Sequence, residues 1–197
     1  MKNILKKIIL DFHEKDLPKF KTRDLKIPNI KKIISIIGPR RSGKTWYLYQ
    51  LIKELEENGI DRKQIIYINF EDERLIFDNN YDLILEAWRE LYPDKINEDL
   101  YLFYDEIQEL HHWEKYIRRM YDTVSENIVL TGSNSKMLSK EIATSLRGRS
   151  LAFEIMPLSF SEYLSFNDII TKRNYSSTED AKVRNLFQEY LLWGGYP

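Results

Sequence analysis

Lys32-Ile33-Ile34-Ser35-Ile36-Ile37-Gly38-Pro39-Arg40-Arg41-Ser42-Gly43-Lys44-Thr45 is the stretch that decides the fold. Lys32 to Ile37 is an apolar, β-branched run, the pattern of a parallel strand buried on both faces. Gly38 to Thr45 then matches G-x-x-x-x-G-K-[ST] at every fixed position. Lys44 to Glu57 follows as a helix with Leu48, Leu51, Ile52 and Leu55 on one face, stopped by Asn58-Gly59.

A strand, a glycine-bounded loop and a helix in that order make a phosphate cradle. Backbone N–H groups ring the phosphates, and glycines let the loop wrap closely. The helix N-terminus adds its partial positive charge. Lys44 is expected to reach the β- and γ-phosphates, and the Thr45 hydroxyl to ligate magnesium. Gly38, Pro39, Arg40, Arg41, Ser42, Gly43, Lys44 and Thr45 are therefore the candidate nucleotide-binding residues. In the nucleotide-free protein, Lys44 is expected to be exposed. A chance match to the pattern is the competing explanation. The flanking strand and helix argue against it, because the mechanism requires them.

Outward from the loop, the pattern alternates. Gln64 to Phe70, Leu100 to Tyr104, Asn127 to Thr131 and Leu151 to Ile155 read as further strands. Tyr81 to Leu91 reads as a helix closed by Pro93, and Trp113, Ile117, Met120, Tyr121 and Val124 mark another. A short helix is expected around Ser135 to Ser145. Such alternation predicts an α/β fold, a parallel sheet with helices on both faces. Upstream, Ile4, Leu5, Ile8, Ile9 and Phe12 predict an amphipathic helix over residues 3–14, and residues 15–30 form a polar connector with Pro18 and Pro28. Beyond Pro157, Ser159 to Phe166 and Glu179 to Trp193 read as helices. The expected organisation is a helix and connector over 1–24, a core over 25–157 and a helical extension over 158–197.

The composition is that of a folded globular chain, with 43% hydrophobic and 31% charged residues among 197. The net charge of −1 gives no global attraction to nucleic acid or an anionic membrane. The absence of cysteine excludes disulfides, thiolate metal sites and a thiol nucleophile, and a cytoplasmic setting is the simplest expectation. The apolar run Ile8-Ile9-Leu10 is too short for a signal peptide, and no stretch approaches the roughly 18 apolar residues of a membrane span.

Tyr101-Leu-Phe-Tyr104-Asp105-Glu106 is an apolar strand ending in two carboxylates. Beside a P-loop, the first is a candidate magnesium ligand and the second a candidate base for the attacking water. The bland alternative is a solvated loop that begins with acids.

Several motifs follow in order: Gly-Pro-Arg-Arg-Ser-Gly-Lys-Thr, Ile68-Asn-Phe-Glu-Asp72, Asp105-Glu-Ile-Gln108, Leu130-Thr-Gly-Ser-Asn134, Ser145-Leu-Arg-Gly-Arg149, Pro157-Leu-Ser-Phe-Ser-Glu-Tyr163 and Gly194-Gly-Tyr-Pro197. From about Arg23 onward the chain resembles the AAA-type P-loop ATPases common in archaea and bacteria, within the wider AAA+ group. The resemblance implies a three-layer P-loop NTPase fold with a five-stranded sheet ordered 5-1-4-3-2. It also implies ATP as the nucleotide, Mg2+ as the ion and hydrolysis coupled to a C-terminal partner domain, often restriction-endonuclease-like in relatives. A homo-oligomer is the candidate assembly, and DNA a candidate partner through a part beyond Pro197. The stop there, just after Leu191-Leu192-Trp193, reads as the end of an N-terminal fragment. No Asn-Lys-x-Asp guanine motif is present.

The resemblance implies further site residues. Asn69 is a candidate to hold Glu106 idle, with Glu71 and Asp72 beside it. Alternatively Asn69 only ends its strand and Glu71-Asp72 caps a helix. Ser133 or Asn134 is the candidate γ-phosphate sensor, or else a helix N-cap. Arg149, rather than Arg147, is the candidate to reach a γ-phosphate. The alternative is a solvated basic loop. One of Arg40 and Arg41 is expected to contact phosphate and the other to pair with an acid such as Asp72 or Glu106. Rival functions are a nucleotide-dependent switch or scaffold with negligible turnover, and a small-molecule kinase. The acid pair argues against the former, and the family motifs argue against the latter.

Overall fold

Ile33 to Ile37 form β1, and all five residues are buried. The computed structural model describes residues 1–28, 30–77, 80–95, 98–132, 146 and 148–196. Four more strands, β2 (Ile65–Asn69), β3 (Tyr101–Asp105), β4 (Asn127–Gly132) and β5 (Ser150–Glu154), join β1 in one sheet ordered β2-β3-β4-β1-β5. All neighbours are parallel. Read from the other edge, this is the expected order 5-1-4-3-2. The crossover helices are α2 (Lys44–Glu57) after β1, α3 (Asp82–Leu91) after β2 and α4 (Trp113–Thr123) after β3. The N-terminal helix is α1 (Lys2–Glu14), and α5 (Phe160–Phe166) and α6 (Ser177–Trp193) follow β5.

The two-residue period of the strands divides the core into two layers. Ile33, Ile37, Ile68, Leu102 and Leu130 pack on the side of α1, α3 and α4, against Leu5, Ile84, Trp88 and Ile117. Ile34, Ile36, Ile65 and Phe103 pack on the side of α2, against Tyr47, Leu48 and Ile52. The connector joins this second layer through Leu25, Ile27 and Ile30. In α1, Leu5, Ile8 and Ile9 are buried. Each fully buried side chain of this size stabilises the fold by roughly 1.5–3 kcal/mol relative to exposure. At the end of α1, His13 Nε2 bonds the Ile65 carbonyl at 2.8 Å and Nδ1 bonds the Tyr92 hydroxyl at 2.8 Å. This covers part of the edge strand β2.

Some boundaries differ from the sequence reading. β3 runs one residue further and carries Asp105 as its last residue, paired in register with Asn69. β5 starts at Ser150, opposite Ile33, because its register on β1 decides its length rather than its own apolar run. α6 starts at Ser177, where Ser176 and Glu179 form a capping box. The short helix expected around Ser135 to Ser145 lies outside the described residues.

Two late motifs are halves of one contact. The Leu158 N–H donates to the Gly195 carbonyl at 2.6 Å, and the Tyr190 hydroxyl donates to the Leu158 carbonyl at 2.8 Å. A Cβ at Gly195 would run into the Leu158 backbone, so the close approach requires glycine.

Candidate nucleotide site

The P-loop leaves the carboxyl edge of β1. At Gly38 φ is +152°, and a Cβ there would collide with the Ile155 carbonyl. Gly43, at φ +93°, is the left-handed N-cap of α2. Both fixed glycines are thus demanded by backbone geometry. Arg41 also has positive φ, +63°. The Ser42 hydroxyl is buried without a partner among the described residues.

Lys44 is 5% exposed, which corrects the expectation of a solvated lysine. Its Nζ donates to the carbonyls of Gly38 and Pro39 at 3.3 and 3.1 Å and lies 3.7 Å from Glu106 Oε1. The loop carbonyls and this carboxylate do for the ammonium what water does at a surface.

Asp105 is fully buried. Three hydroxyls serve its carboxylate. Thr45 Oγ1 donates to Oδ2 at 2.8 Å, the Tyr67 hydroxyl donates to Oδ2 at 3.1 Å, and Thr131 Oγ1 donates to Oδ1. Burial pushes the carboxyl above its ordinary value, and the three hydroxyl bonds only partly oppose this. The Thr131 oxygen also accepts the Glu106 N–H at 2.9 Å. One side chain of β4 thereby ties both acids of β3.

Glu106 turns the chain at φ +52°, outside the strand. Its carboxylate lies between two cationic or donor groups: Lys44 on Oε1, and Gln108 Nε2, which donates to Oε2 at 2.7 Å. Asn69, in contrast, accepts the Glu71 N–H at 2.9 Å through its own side chain. Among the described residues no bond joins Asn69 to Glu106, and the amide on Glu106 is that of Gln108. Glu71 is exposed. Asp72 is clamped by Arg74, with Nε to Oδ1 at 2.9 Å and Nη2 to Oδ2 at 2.6 Å. Neither Arg40 nor Arg41 pairs with Asp72 or Glu106 among the described residues, because Arg74 stands on Asp72 and Lys44 beside Glu106.

Arg149 lies at the opposite edge of the sheet. Its carbonyl accepts the Ile33 N–H at 2.9 Å, and its guanidinium grips Asp122 at 2.9 and 3.1 Å. The length of β1, about 15 Å for five residues, separates it from the P-loop of its own chain. Ser133, Asn134 and Arg147 fall outside the described residues.

The Thr45 hydroxyl and the Asp105 carboxylate form an oxygen-only donor set within 2.8 Å of each other. Among the described residues no cluster of three or more His, Cys, Asp or Glu could hold a metal ion. Two hard oxygen donors side by side are of the type that suits magnesium, which would need further oxygen ligands from elsewhere.

Sequence reading missed Thr131, Tyr67 and Gln108 as site residues. Gln108 belongs to the Asp105-Glu-Ile-Gln108 motif, but nothing in its spacing shows that the chain doubles back at Glu106. Tyr67 and Thr131 come from β2 and β4 and reach Asp105 only through the strand order. Among the described residues no helix is long and apolar enough to cross a membrane.

The model of the AAA domain family matches residues 30–164. An uncharacterised protein of Methanocaldococcus jannaschii is 44% identical over 178 residues, covering 89% of this chain and 38% of that protein. An uncharacterised protein of Haemophilus influenzae is 34% identical over 169 residues, covering 84% and 39%. The chain thus spans less than half the length of these relatives. Among solved structures, AMPPCP-bound DnaA from Aquifex aeolicus is similar with a TM-score of 0.45 and 14% identity, over 98% of this chain and 60% of that one. PCH-2 from C. elegans is similar with a TM-score of 0.42 and 18% identity, over 90% and 50%. The family model spans all five strands of the sheet and the whole phosphate loop, and this chain belongs to the AAA domain family.

Proposed function

We propose that this domain binds ATP with magnesium and hydrolyses it to ADP and phosphate. The observation that carries the reading is the cluster of Lys44, Thr45, Asp105 and Glu106 at one sheet edge, with Thr45 and Asp105 2.8 Å apart and Lys44 3.7 Å from Glu106. The loop N–H groups and the start of α2 receive the phosphate chain. Lys44 exchanges the Gly38 and Pro39 carbonyls for β- and γ-phosphate oxygens. Thr45 and Asp105 would hold a magnesium ion, which would neutralise phosphate charge. Glu106 accepts a proton from the attacking water at its carboxylate. Ser133 or Asn134 senses the γ-phosphate, and Asn69, Glu71, Asp72 and Arg147 are regulatory candidates.

Arg149 completes the site from a neighbouring copy, since it lies at the far edge from its own P-loop. Turnover would drive a C-terminal partner domain, with DNA as a candidate partner. A switch with negligible turnover is the second reading. Glu106 beside Lys44 favours hydrolysis, because nucleotide binding alone does not need the second acid. Glu106→Gln should bind Mg-ATP normally and hydrolyse it at least about tenfold more slowly. Turnover at the wild-type rate in that variant would move the base to Glu71 or Asp72. Absence of turnover in the wild type would favour the switch.

A further inference from the structure

The geometry points to Gln108 as the residue that positions Glu106 for catalysis, an inference that rests on the hydrolase reading above. Three observations carry it. First, the backbone of Glu106 is pinned: its N–H is held by Thr131 Oγ1 at 2.9 Å, and its φ of +52° is one a non-glycine residue adopts only under constraint. The remaining freedom of this group is in its side chain. Second, Gln108 Nε2 donates to Glu106 Oε2 at 2.7 Å, a charge-assisted contact. Exchanging the amide oxygen and nitrogen would set oxygen against carboxylate oxygen, so the contact itself fixes the orientation of the amide. Third, Gln108 Oε1 is buried without a partner among the described residues. A buried acceptor left unsatisfied is unfavourable and calls for an explanation, a catalytic role being one. The described side-chain bond of this amide is the one to Glu106.

The direction of the carboxylate decides what the contact does. Glu106 Oε1 is 3.7 Å from Lys44 Nζ, the group that reaches for the terminal phosphates. The carboxylate therefore already faces the phosphate side, and the amide holds it there rather than withdrawing it. Once Lys44 turns to phosphate, Gln108 is the described side chain still bonded to that carboxylate. This gives the fourth residue of Asp105-Glu-Ile-Gln108 a task that follows from the left-handed turn at Glu106. That turn brings a side chain two positions later back onto the acid.

Steady-state and single-turnover ATPase rates of wild type, Gln108→Met, Glu106→Gln and the double variant test the assignment. Methionine keeps the length and apolar bulk of the side chain and removes the donor. Gln108→Met should lower kcat about tenfold or more while KM and calorimetric ATP affinity stay within about twofold, because only the placement of the base is lost. In the Glu106→Gln background the same change should add almost nothing, since it acts through Glu106. Gln108→Asn, which keeps the amide one methylene short, should fall in the same way and covers the case of a poorly folded methionine variant. Wild-type or raised turnover in a folded Gln108 variant would overturn the assignment, as would an equal fractional loss in both backgrounds. If Glu106→Gln is inactive and Gln108→Met is not, only Gln108 is misassigned. If Glu106→Gln turns over normally, the hydrolase reading with Glu106 as base fails and takes Gln108 with it.

Discussion

Arg23 and Glu162 meet as a bidentate ion pair, Nε to Oε1 at 2.8 Å and Nη2 to Oε2 at 3.3 Å, with side chains only 10% and 9% exposed. The same guanidinium donates to the Ser42 carbonyl in the P-loop and to the Met156 carbonyl after β5, each at 2.8 Å. Glu162 also caps α5 through Ser159 and accepts the Asp24 N–H at 3.2 Å. One buried pair thus joins the connector, the phosphate loop and the helical extension.

Arg23→Ala should leave Glu162 buried without its cation and destabilise the fold by about 3–5 kcal/mol, the range for breaking such pairs. Denaturant melts of the two proteins measure it. A loss under about 1 kcal/mol, the range of solvated surface pairs, would show that the pair is solvated in solution.

The same pair gives the fold an acid limit. Burial alone would raise the Glu162 carboxyl, but the bonds from Arg23, Ser159 and Asp24 outweigh it and hold the group below its ordinary value of 4.5. A folded-state value below the unfolded one means that the stabilisation is complete above about 4.5 and is lost as pH falls through the lower folded value. Melting temperature should therefore drop on acidification below pH 4.5 more steeply in wild type than in Glu162→Gln. Parallel slopes would assign the acid limit to other groups.

Asp105 has the opposite sign. Its folded value lies above the ordinary 3.8, so its contribution to stability is present below 3.8 and is lost as pH rises through the folded value. A raised folded value means that ionising Asp105 costs the nucleotide-free fold stability. Asp105→Asn should melt higher than wild type at pH 7 without nucleotide, yet lose magnesium-dependent ATP affinity. Thermal melts and titrations with and without magnesium check both halves. A lower melting point would mean that the three hydroxyl bonds outweigh burial.

Lys44→Ala should abolish tight ATP binding in a chain that still folds. The lysine bonds the carbonyls of Gly38 and Pro39 and stands outside both apolar core layers. Calorimetric titration decides, with circular dichroism as the folding control. Unchanged affinity in a folded variant would remove the basis of the nucleotide reading.

Arg149→Ala should bind ATP with near-normal affinity and lose most turnover, because an arginine on the γ-phosphate acts mainly in the transition state. In that proposed role, its place at the edge opposite the P-loop would require a neighbouring copy. Wild-type activity should then rise faster than linearly with protein concentration. Mixing Arg149→Ala with Glu106→Gln should restore part of it. Linear activity together with no rescue would leave Arg149 as the partner of Asp122 alone.

The phosphate loop and the parallel sheet were legible because their causes are local. Four isoleucines flanking Ser35, directly before Gly38, mark a strand buried on both faces, and Gly38 and Gly43 mark backbone angles that other residues resist. Asp105 and Glu106 were legible as a pair at the end of an apolar run. Their partners were not. Thr131 and Tyr67 meet Asp105 because β3 lies between β2 and β4, a relation across 26 and 38 positions that no sequence period encodes. Burial of Lys44, the grip of Gln108 on Glu106 and the pairing of Arg23 with Glu162 depend on where side chains point once the layers have closed. Hydrophobic period and backbone-restricted residues write the fold into the sequence. The polar contacts of the site form between segments far apart in the chain, so only the tertiary structure decides them.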